Sequence, residues 1–241
     1  MKNNPIVCFL PCCKTKNPSG EIIARGKSLS QAEMPNTWSW LVRGRKGMRL
    51  HISFKSPLTS AIFLYTGFLY KTLNKDAIIQ TIESGHLRLI IISAGYGIVD
   101  AFEPIHDYDA EMKGKTATYW QNHKLIDIIC DFLLNANPSK VFGFFTGSAD
   151  WVISGSKYRY FFTEGLRHAH KRGLKTQLSG CFYRKTGKGV KNILSALGHV
   201  FMDFMNNDFN EQFAIKAQQE GIKEYNVKIG FDEIMEEKRD N

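Results

Sequence analysis

Side chains that could do chemistry cluster in the centre of the chain, directly after a short apolar run. The run, LRLIIIS at residues 87–93, is rich in branched residues, which is typical of a strand buried on both faces of a parallel sheet. Gly95 and Gly97 follow, so the backbone can turn tightly and lie close to a ligand. The polar and titratable side chains that come next are His106, Asp107, Tyr108, Asp109 and Glu111.

This segment suits a site that handles a planar ring. Tyr96 could stack on the ring, and a carboxylate such as Asp107 or Asp109 could activate water or bind a ring edge. The residues expected to lie against the ligand are Gly95, Gly97 and Tyr108. The same pattern also fits an ordinary strand and turn, in which Tyr96 packs and the acids are solvated.

Two further turns are expected at the same edge of the sheet. Residues 5–10 (PIVCFL) predict a first strand, and the turn after it carries Lys14 and Lys16, which could receive an anion. Residues 140–146 (KVFGFFT) predict another strand, and Ser148 and Asp150 lie in the turn that follows. Carboxyl ends of neighbouring parallel strands meet, so we expect convergence of the turns at residues 12–16, 94–108 and 146–151.

The order of elements predicts an α/β fold. Strands alternate with amphipathic helical segments, which favours a mostly parallel central sheet flanked by helices. We expect a single domain over residues 1–241. It would carry a basic, irregular insertion at residues 18–55 and a helical, acidic C-terminal segment at residues 201–241.

The charge distribution favours a polyanionic partner. The chain of 241 residues carries a formal charge of +9, but residues 201–241 alone carry −5, which leaves +14 on the rest. Such a field attracts nucleic acid or a phosphorylated metabolite. The predicted nucleic-acid-binding residues combine aromatic rings with cations. They are Trp40, Arg43, Arg45, Lys46, Lys157, Arg159, Arg184, Lys185 and Lys188.

Several classes of protein are excluded by what the sequence lacks. Five cysteines without zinc-type spacing predict neither a disulfide framework nor a metal site, and no cofactor is expected. No dinucleotide fingerprint, P-loop or nucleophile elbow is present. No apolar run reaches the roughly 20 residues of a membrane span, and the N-terminus does not resemble a secretory signal. We therefore expect a cytoplasmic protein without a membrane partner.

The central segment resembles the YaaA-like proteins, a family that includes the bacterial peroxide-stress protein. The resemblance rests on SAGYGIV at residues 93–99, Pro104-Ile105, Asp107-Tyr108 and Met112, together with LYTGFL at residues 64–69. It implies a DNA-linked stress function and a distant likeness to base-handling enzymes of the uracil-glycosylase type. The positions that it marks for the ligand site are Ser93, Tyr96, Gly97, Asp107 and Tyr108, followed by Lys14 and Tyr65.

Three functional hypotheses follow, the first of them an enzyme that cleaves the N-glycosidic bond of a damaged or modified base, with DNA favoured over RNA. Asp107 or Asp109 would position water or stabilise the sugar, while Tyr96 would stack on the flipped base. The second is a DNA-binding stress or defence protein without turnover. The third is an enzyme that acts on a free nucleotide or nucleoside. The sequence does not predict the oligomeric state.

Overall fold

The structure, a computed structural model, describes residues 4–24, 26–153 and 155–235. The strands of this part of the chain are β1 (Ile6–Pro11), β2 (Thr59–Ser60), β3 (Leu87–Ser93), β4 (Gly97–Asp100), β5 (Pro104–Ile105), β6 (Lys140–Phe144), β7 (Leu178–Thr186), β8 (Ile222–Glu224) and β9 (Val227–Glu233). Its helices are α1 (Trp38–Gly47), α2 (Ala61–Leu64), α3 (Lys75–Glu83), α4 (Gly114–Asn122), α5 (Leu125–Ala136), α6 (Tyr158–Lys171), α7 (Val190–Asn206) and α8 (Glu211–Gln219).

The central sheet has the order β4-β3-β1-β6-β7-β9-β8 among the described residues. β3, β1, β6 and β7 are parallel, whereas β4, β9 and β8 pair antiparallel at the two sides. The predicted α/β class with a mostly parallel sheet is therefore confirmed. After β1 the chain moves to β3 on one side, and after β6 it moves to β7 on the other, so a crevice opens between the carboxyl ends of β1 and β6.

Aromatic side chains fix helices to both faces of this sheet. Phe9 of β1 contacts Phe132 of α5 and Phe162 of α6, with ring centroids 6.1 and 5.3 Å apart. On the opposite face Phe142 of β6 packs 4.7 Å from Phe204 of α7. Both rings at these strand positions are fully buried, which explains why the parallel strands read as continuous apolar runs.

The basic insertion is more ordered than the sequence predicted, because it contains α1. Asp131 of α5 is buried and accepts hydrogen bonds from the backbone N–H groups of Asn36 and Thr37, at 2.9 and 3.0 Å. Arg45 forms an ion pair with Glu103 at 2.7 Å. Together these contacts attach the start and the end of α1 to the body of the protein.

The C-terminal segment is helical only in part. α7 and α8 agree with the prediction, but residues 222–233 form the hairpin of β8 and β9, and β9 joins the central sheet beside β7. Val227, Ile229 and Phe231 are buried and alternate with Lys228, so the strand has a period of two. The end of the predicted acidic segment, residues 236–241, lies outside the described residues.

Candidate functional site

A cavity of about 310 Å³ lies at the crevice between the carboxyl ends of β1 and β6. We call it the carboxyl-edge cavity. Its lining includes side chains from the turn after β1, from the segment before α4 and from the start of α6, among them Cys12, Cys13, Tyr70, Glu111, Lys113 and Tyr158. The turns predicted to converge after β1 and β6 therefore do meet, because Thr146 lines the same cavity.

Thiol and phenol groups form the inner wall of this cavity. Cys12 Sγ lies 3.0 Å from the Tyr158 hydroxyl, and Tyr70 donates a hydrogen bond to the carbonyl of Pro11 at 2.8 Å. Cys13 Sγ donates to the carbonyl of Thr15 at 2.9 Å. Burial raises the pKa of the Cys13 thiol to about 11, so the group is protonated at neutral pH and is a weak nucleophile.

Charged groups of both signs stand at the rim of the cavity. Glu111 pairs with Lys113 and lies 3.9 Å from the Lys14 ammonium. The hydrogen bond from Lys113 lowers the pKa of the Glu111 carboxyl, and the charges of Lys14 and Lys16 act in the same direction. Glu111 is consequently an ionised carboxylate at neutral pH, held between two lysines at the entrance.

The first turn of α7 also borders the cavity, through Val190 and Leu194. No side chain caps this helix, whose Ncap residue is Gly189. Uncapped N–H groups at a helix start carry partial positive charge and bind anions well. The predicted basic loop ahead of the helix is exposed at Arg184, Lys185 and Lys188.

Behind the cavity, three hydroxyl groups form a buried network. The Tyr108 hydroxyl lies 2.9 Å from that of Tyr65 and 3.0 Å from Ser93 Oγ, which also accepts the N–H of Tyr96 at 3.1 Å. Burial raises the pKa of both Tyr65 and Tyr108 well above the ordinary value. These groups stay neutral and hydrogen-bond to one another, so they stabilise the turn.

The predicted ring-stacking residue, Tyr96, is half-buried beside this network. Its hydroxyl lies 3.2 Å from the backbone nitrogen of His106, and its ring packs edge-on against Tyr108 at 5.6 Å. Burial raises the pKa of Tyr96 to about 12. The space beside the predicted glycines is filled by rings, because a Cβ on Gly95 would stand 2.7 Å from Tyr108 and one on Gly97 2.8 Å from Trp120.

The two predicted catalytic acids do not line the carboxyl-edge cavity. Asp107 Oδ1 accepts the N–H of Tyr108 at 2.7 Å and lies 3.9 Å from Lys16 Nζ. The Lys16 side chain is only 6% exposed and donates to the carbonyl of Tyr108 at 2.8 Å, so it clamps the turn. Asp109 is exposed, and its N–H donates to the carbonyl of His51 at 2.9 Å.

The third predicted turn forms its own local hydrogen bonds. Ser148 Oγ accepts the N–H of Asp150 at 2.9 Å, and Asp150 Oδ1 accepts that of Val152 at 2.8 Å. Lys157 is buried and donates to the carbonyl of Trp151 at 2.6 Å. This turn passes beside the cavity, which Ser156 lines.

The predicted nucleic-acid-binding residues divide into exposed and buried groups. Arg43 and Lys46 of α1 are exposed, and Trp40 is partly exposed. Arg45, in contrast, donates to the carbonyl of Ile98 at 2.7 Å in addition to its ion pair. The buried Arg159 pairs with Asp232, and its guanidinium carbon lies 4.1 Å from the centre of the Tyr183 ring.

Sequence reasoning did not identify Tyr158, Tyr70, Glu111 or Lys113 as site residues. Tyr158 reaches Cys12 across 146 positions of the chain, a contact that no local pattern indicates. Glu111 did belong to the polar cluster that the sequence showed. What distinguishes it from Asp107 is which side of the turn each faces, and a sequence motif does not encode this.

The described residues also bear on metal sites and membrane-spanning helices. Within residues 4–24, 26–153 and 155–235, no group of three or more histidine, cysteine, aspartate or glutamate side chains is placed to hold a metal ion. In the same ranges, no helix combines the length and the apolar character that crossing a membrane requires.

The fold and the cavity define an α/β protein with a candidate ligand site at the switch point of a parallel sheet. The family model for peroxide stress protein YaaA matches residues 12–131, from the turn after β1 to α5. Over this half of its length the chain belongs to the YaaA peroxide-stress family, and a stress-related role fits that membership. Among curated proteins, no sequence matches the chain.

Proposed function

We propose that the protein binds nucleic acid, DNA in the first place, and admits one nucleotide unit to the carboxyl-edge cavity. The composition of the cavity supports this proposal. Tyr70 and Tyr158 contribute aromatic rings to the wall, and Lys14 and Lys113 contribute positive charge to the rim. Base, sugar and phosphate each require one of these chemistries, and a nucleotide requires all of them.

The size of the cavity limits its ligand. About 310 Å³ lies at the small end of the range for ligand pockets, which fits one nucleotide unit and not a dinucleotide cofactor. A base would be held between apolar and aromatic side chains, since every base presents a π-face that stacks on such groups. Phe68, exposed at the cavity margin, extends the apolar surface outward.

Phosphate groups would lie at the rim. Lys14 and Lys113 are exposed and flank the entrance, and the uncapped start of α7 stands beside it. Helix starts and lysines both bind phosphate through N–H groups and positive charge. A strand whose base entered the cavity would thus leave its backbone against these groups, with the exposed Lys188 between β7 and α7 close by in sequence.

Cleavage of the N-glycosidic bond is the reaction that this arrangement would support. Water adds to C1′ of the sugar, the bond to the base nitrogen breaks, and the base leaves with a proton. A carboxylate assists by orienting the water or by stabilising the positive charge on the sugar. We assign this role to Glu111, because it lines the cavity and is ionised, whereas Asp107 faces Lys16 and the backbone of its own turn.

Binding is tested by fluorescence anisotropy with labelled single-stranded and duplex DNA at several salt concentrations. The variant Lys14→Gln/Lys113→Gln should bind at least about tenfold more weakly and should show a smaller salt dependence. Lys175→Gln/Lys223→Gln, which removes the same charge from two exposed lysines away from the cavity, is the matched control. Equal losses in both variants would mean that the cavity rim has no special role.

Turnover is tested with duplexes that carry damaged or modified bases, followed by alkaline cleavage at abasic sites. The account predicts product that is lost in Glu111→Gln and kept in Asp107→Asn. Loss in Asp107→Asn alone would return the catalytic role to Asp107. Salt-sensitive DNA binding without product in the wild type would favour a non-catalytic stress protein, and binding of nucleotides without polymers would favour an enzyme of free nucleotides.

A further inference from the structure

Two helices outside the carboxyl-edge cavity come from stretches of the sequence without acidic residues. Residues 34–75 and 112–126 contain neither aspartate nor glutamate. These two stretches hold α1 and α4, and the helices touch each other, since Tyr119 of α4 donates to the carbonyl of Gly44 in α1 at 2.8 Å. The surfaces of α1 and α4 are therefore adjacent, and we call them together the acid-free face.

Four exposed cations of these two stretches have no carboxylate partner among the described residues, whereas Arg45 pairs with Glu103. Arg43 and Lys46 of α1, and Lys115 and Lys124 at the two ends of α4, are exposed. No carboxylate in the described part of the chain lies within 4 Å of any of them. Unpaired cations on an acid-free surface create the potential that a phosphate backbone follows.

A cleft of about 260 Å³ opens where α1 meets the end of α4. Its lining consists of Trp40, Arg43, Asn122, His123 and Lys124. The His123 ring stacks on Tyr119 with centroids 4.1 Å apart, and His123 Nδ1 lies 2.9 Å from the carbonyl of Tyr119, so the ring is held in place. Trp40 and His123 offer ring surfaces for a base, and the two cations offer phosphate contacts.

The cleft and the carboxyl-edge cavity lie at opposite ends of α4. Lys113, the Ncap residue of α4, lines the cavity, and Asn122, its last residue, lines the cleft. A helix of nine residues is about 14 Å long, which corresponds to about four nucleotides of a strand that keeps the stacked rise of about 3.4 Å per nucleotide. The two pockets are therefore spaced for bases of a single short strand.

We propose that a single strand of nucleic acid runs along α4 from the carboxyl-edge cavity to the cleft between Trp40 and His123, and that the cleft takes a second base. This inference rests on the proposed function, because it takes the cavity to be the first base site. It adds the path of the strand across the protein and the minimum number of nucleotides needed for tight binding. It also gives the basic insertion a role, as the element that supplies Trp40 and Arg43.

The test is a length series of oligothymidylates, from the mononucleotide to ten residues, measured by anisotropy or by calorimetry. Wild-type affinity should rise up to about six nucleotides and then level off. The variant Arg43→Gln/Lys124→Asn should lose about tenfold in affinity for the eight-residue strand, with no change for the mononucleotide. Asparagine is chosen at position 124 because that residue has a left-handed φ of 61°.

The control is Lys175→Gln/Lys223→Gln, which removes the same charge from exposed positions elsewhere. It should keep the length dependence of the wild type. The slope of log K against log salt for the eight-residue strand should fall by about 1.4 in the test variant, twice the single-strand value per phosphate. Trp40→Leu, which keeps the charge, should weaken binding of the long strand without changing that slope.

The outcomes separate the two proposals. An unchanged length dependence in Arg43→Gln/Lys124→Asn would overturn the strand path, even if nucleotides bind in the cavity. If Lys14→Gln/Lys113→Gln bound strands of every length as tightly as the wild type, the proposed function would be overturned instead. Equal losses in the test and control variants would reduce the effect to net charge and would also overturn the path.

Discussion

One cavity lies at the amino ends of the parallel strands and another at their carboxyl ends, and the side chains that line them differ in type. The amino-edge cavity, which includes Ile6, His86, Lys140 and Lys175 in its lining, has a volume of about 690 Å³, more than twice that of the carboxyl-edge cavity. Two of its titratable groups are engaged, since His86 lies 2.8 Å from Asp208 and Lys140 donates to the carbonyl of Phe209 at 3.0 Å. Apart from His86, its lining contains no aromatic ring.

The carboxyl-edge cavity is smaller, but it combines phenols, thiols, cations and a carboxylate. The difference follows from the topology. Where β1 and β6 diverge, the turns after the strands leave a crevice, and the start of α7 faces it with partial positive charge. The larger cavity is the one at the amino edge. The candidate site is therefore chosen by the side chains that line it and by its place in the sheet, and not by its volume.

Filling each cavity in turn should have the largest effect on binding. Leu194→Trp should fill the carboxyl-edge cavity and weaken nucleotide and DNA binding by more than about thirtyfold, because an added ring excludes the base. Thr176→Trp, in the lining of the larger amino-edge cavity, should leave binding unchanged. Affinities measured by calorimetry, with circular dichroism spectra to confirm folding, decide between the two edges.

The reverse pattern would refute the assignment. If Thr176→Trp weakened binding while Leu194→Trp did not, the ligand would belong at the amino edge.

The buried hydroxyl network at the carboxyl edge contributes to the free energy of unfolding. Tyr108→Phe removes the partner of Tyr65 and Ser93 and should lower the free energy of unfolding by about 2–3 kcal/mol, since buried polar groups are left unsatisfied. Tyr225→Phe is the control, because that tyrosine is 63% exposed, and should change it by less than about 0.5 kcal/mol. Urea unfolding gives both values, and equal costs would contradict a supporting role for the network.

A buried carboxyl near the amino ends should affect stability and not binding. Burial raises the pKa of Asp100 from 3.8 to about 6, although Arg88 acts in the opposite direction. Between these two pKa values the folded state binds more protons than the unfolded state, so the free energy of unfolding falls as pH rises. The fall between pH 5 and pH 7 should be about 1 kcal/mol and should disappear in Asp100→Asn.

Thermal or urea unfolding across this pH range measures the effect, with nucleotide affinity followed in parallel. A variant that kept the wild-type pH dependence would show that another group titrates. An affinity that changed with Asp100→Asn would contradict the separation of the two edges.

The sequence predicted the frame of the site well, because that frame depends on local patterns. The apolar runs that became β1, β3 and β6 are short and branched, and their burial in a parallel sheet brings their carboxyl ends together. β9 was missed although its alternation was present, since residues 201–241 were predicted as a helical, acidic segment. The apolar spacing at residues 116–135 predicts one helix, whereas the structure has two, α4 and α5, separated at Lys124 by a left-handed backbone conformation.

The chemistry of the site was less predictable, since it depends on the direction in which individual side chains point. Asp107 and Glu111 are four residues apart, and both are acidic and near a tyrosine. Only the path of the turn decides that Glu111 lines the cavity. Lys16 is a second example. It was predicted to bind an anion, but its ammonium group donates a hydrogen bond to the carbonyl of Tyr108.

The central claim is that a base of the nucleic acid enters the carboxyl-edge cavity. Photo-cross-linking with an eight-residue strand containing one 5-iodo-deoxyuridine, followed by mass spectrometry of the peptides, tests it directly. The account predicts cross-links to Tyr158 or Tyr70, and their loss in Leu194→Trp. Cross-links confined to peptides of the amino edge, such as those with His86 or Lys175, would contradict it.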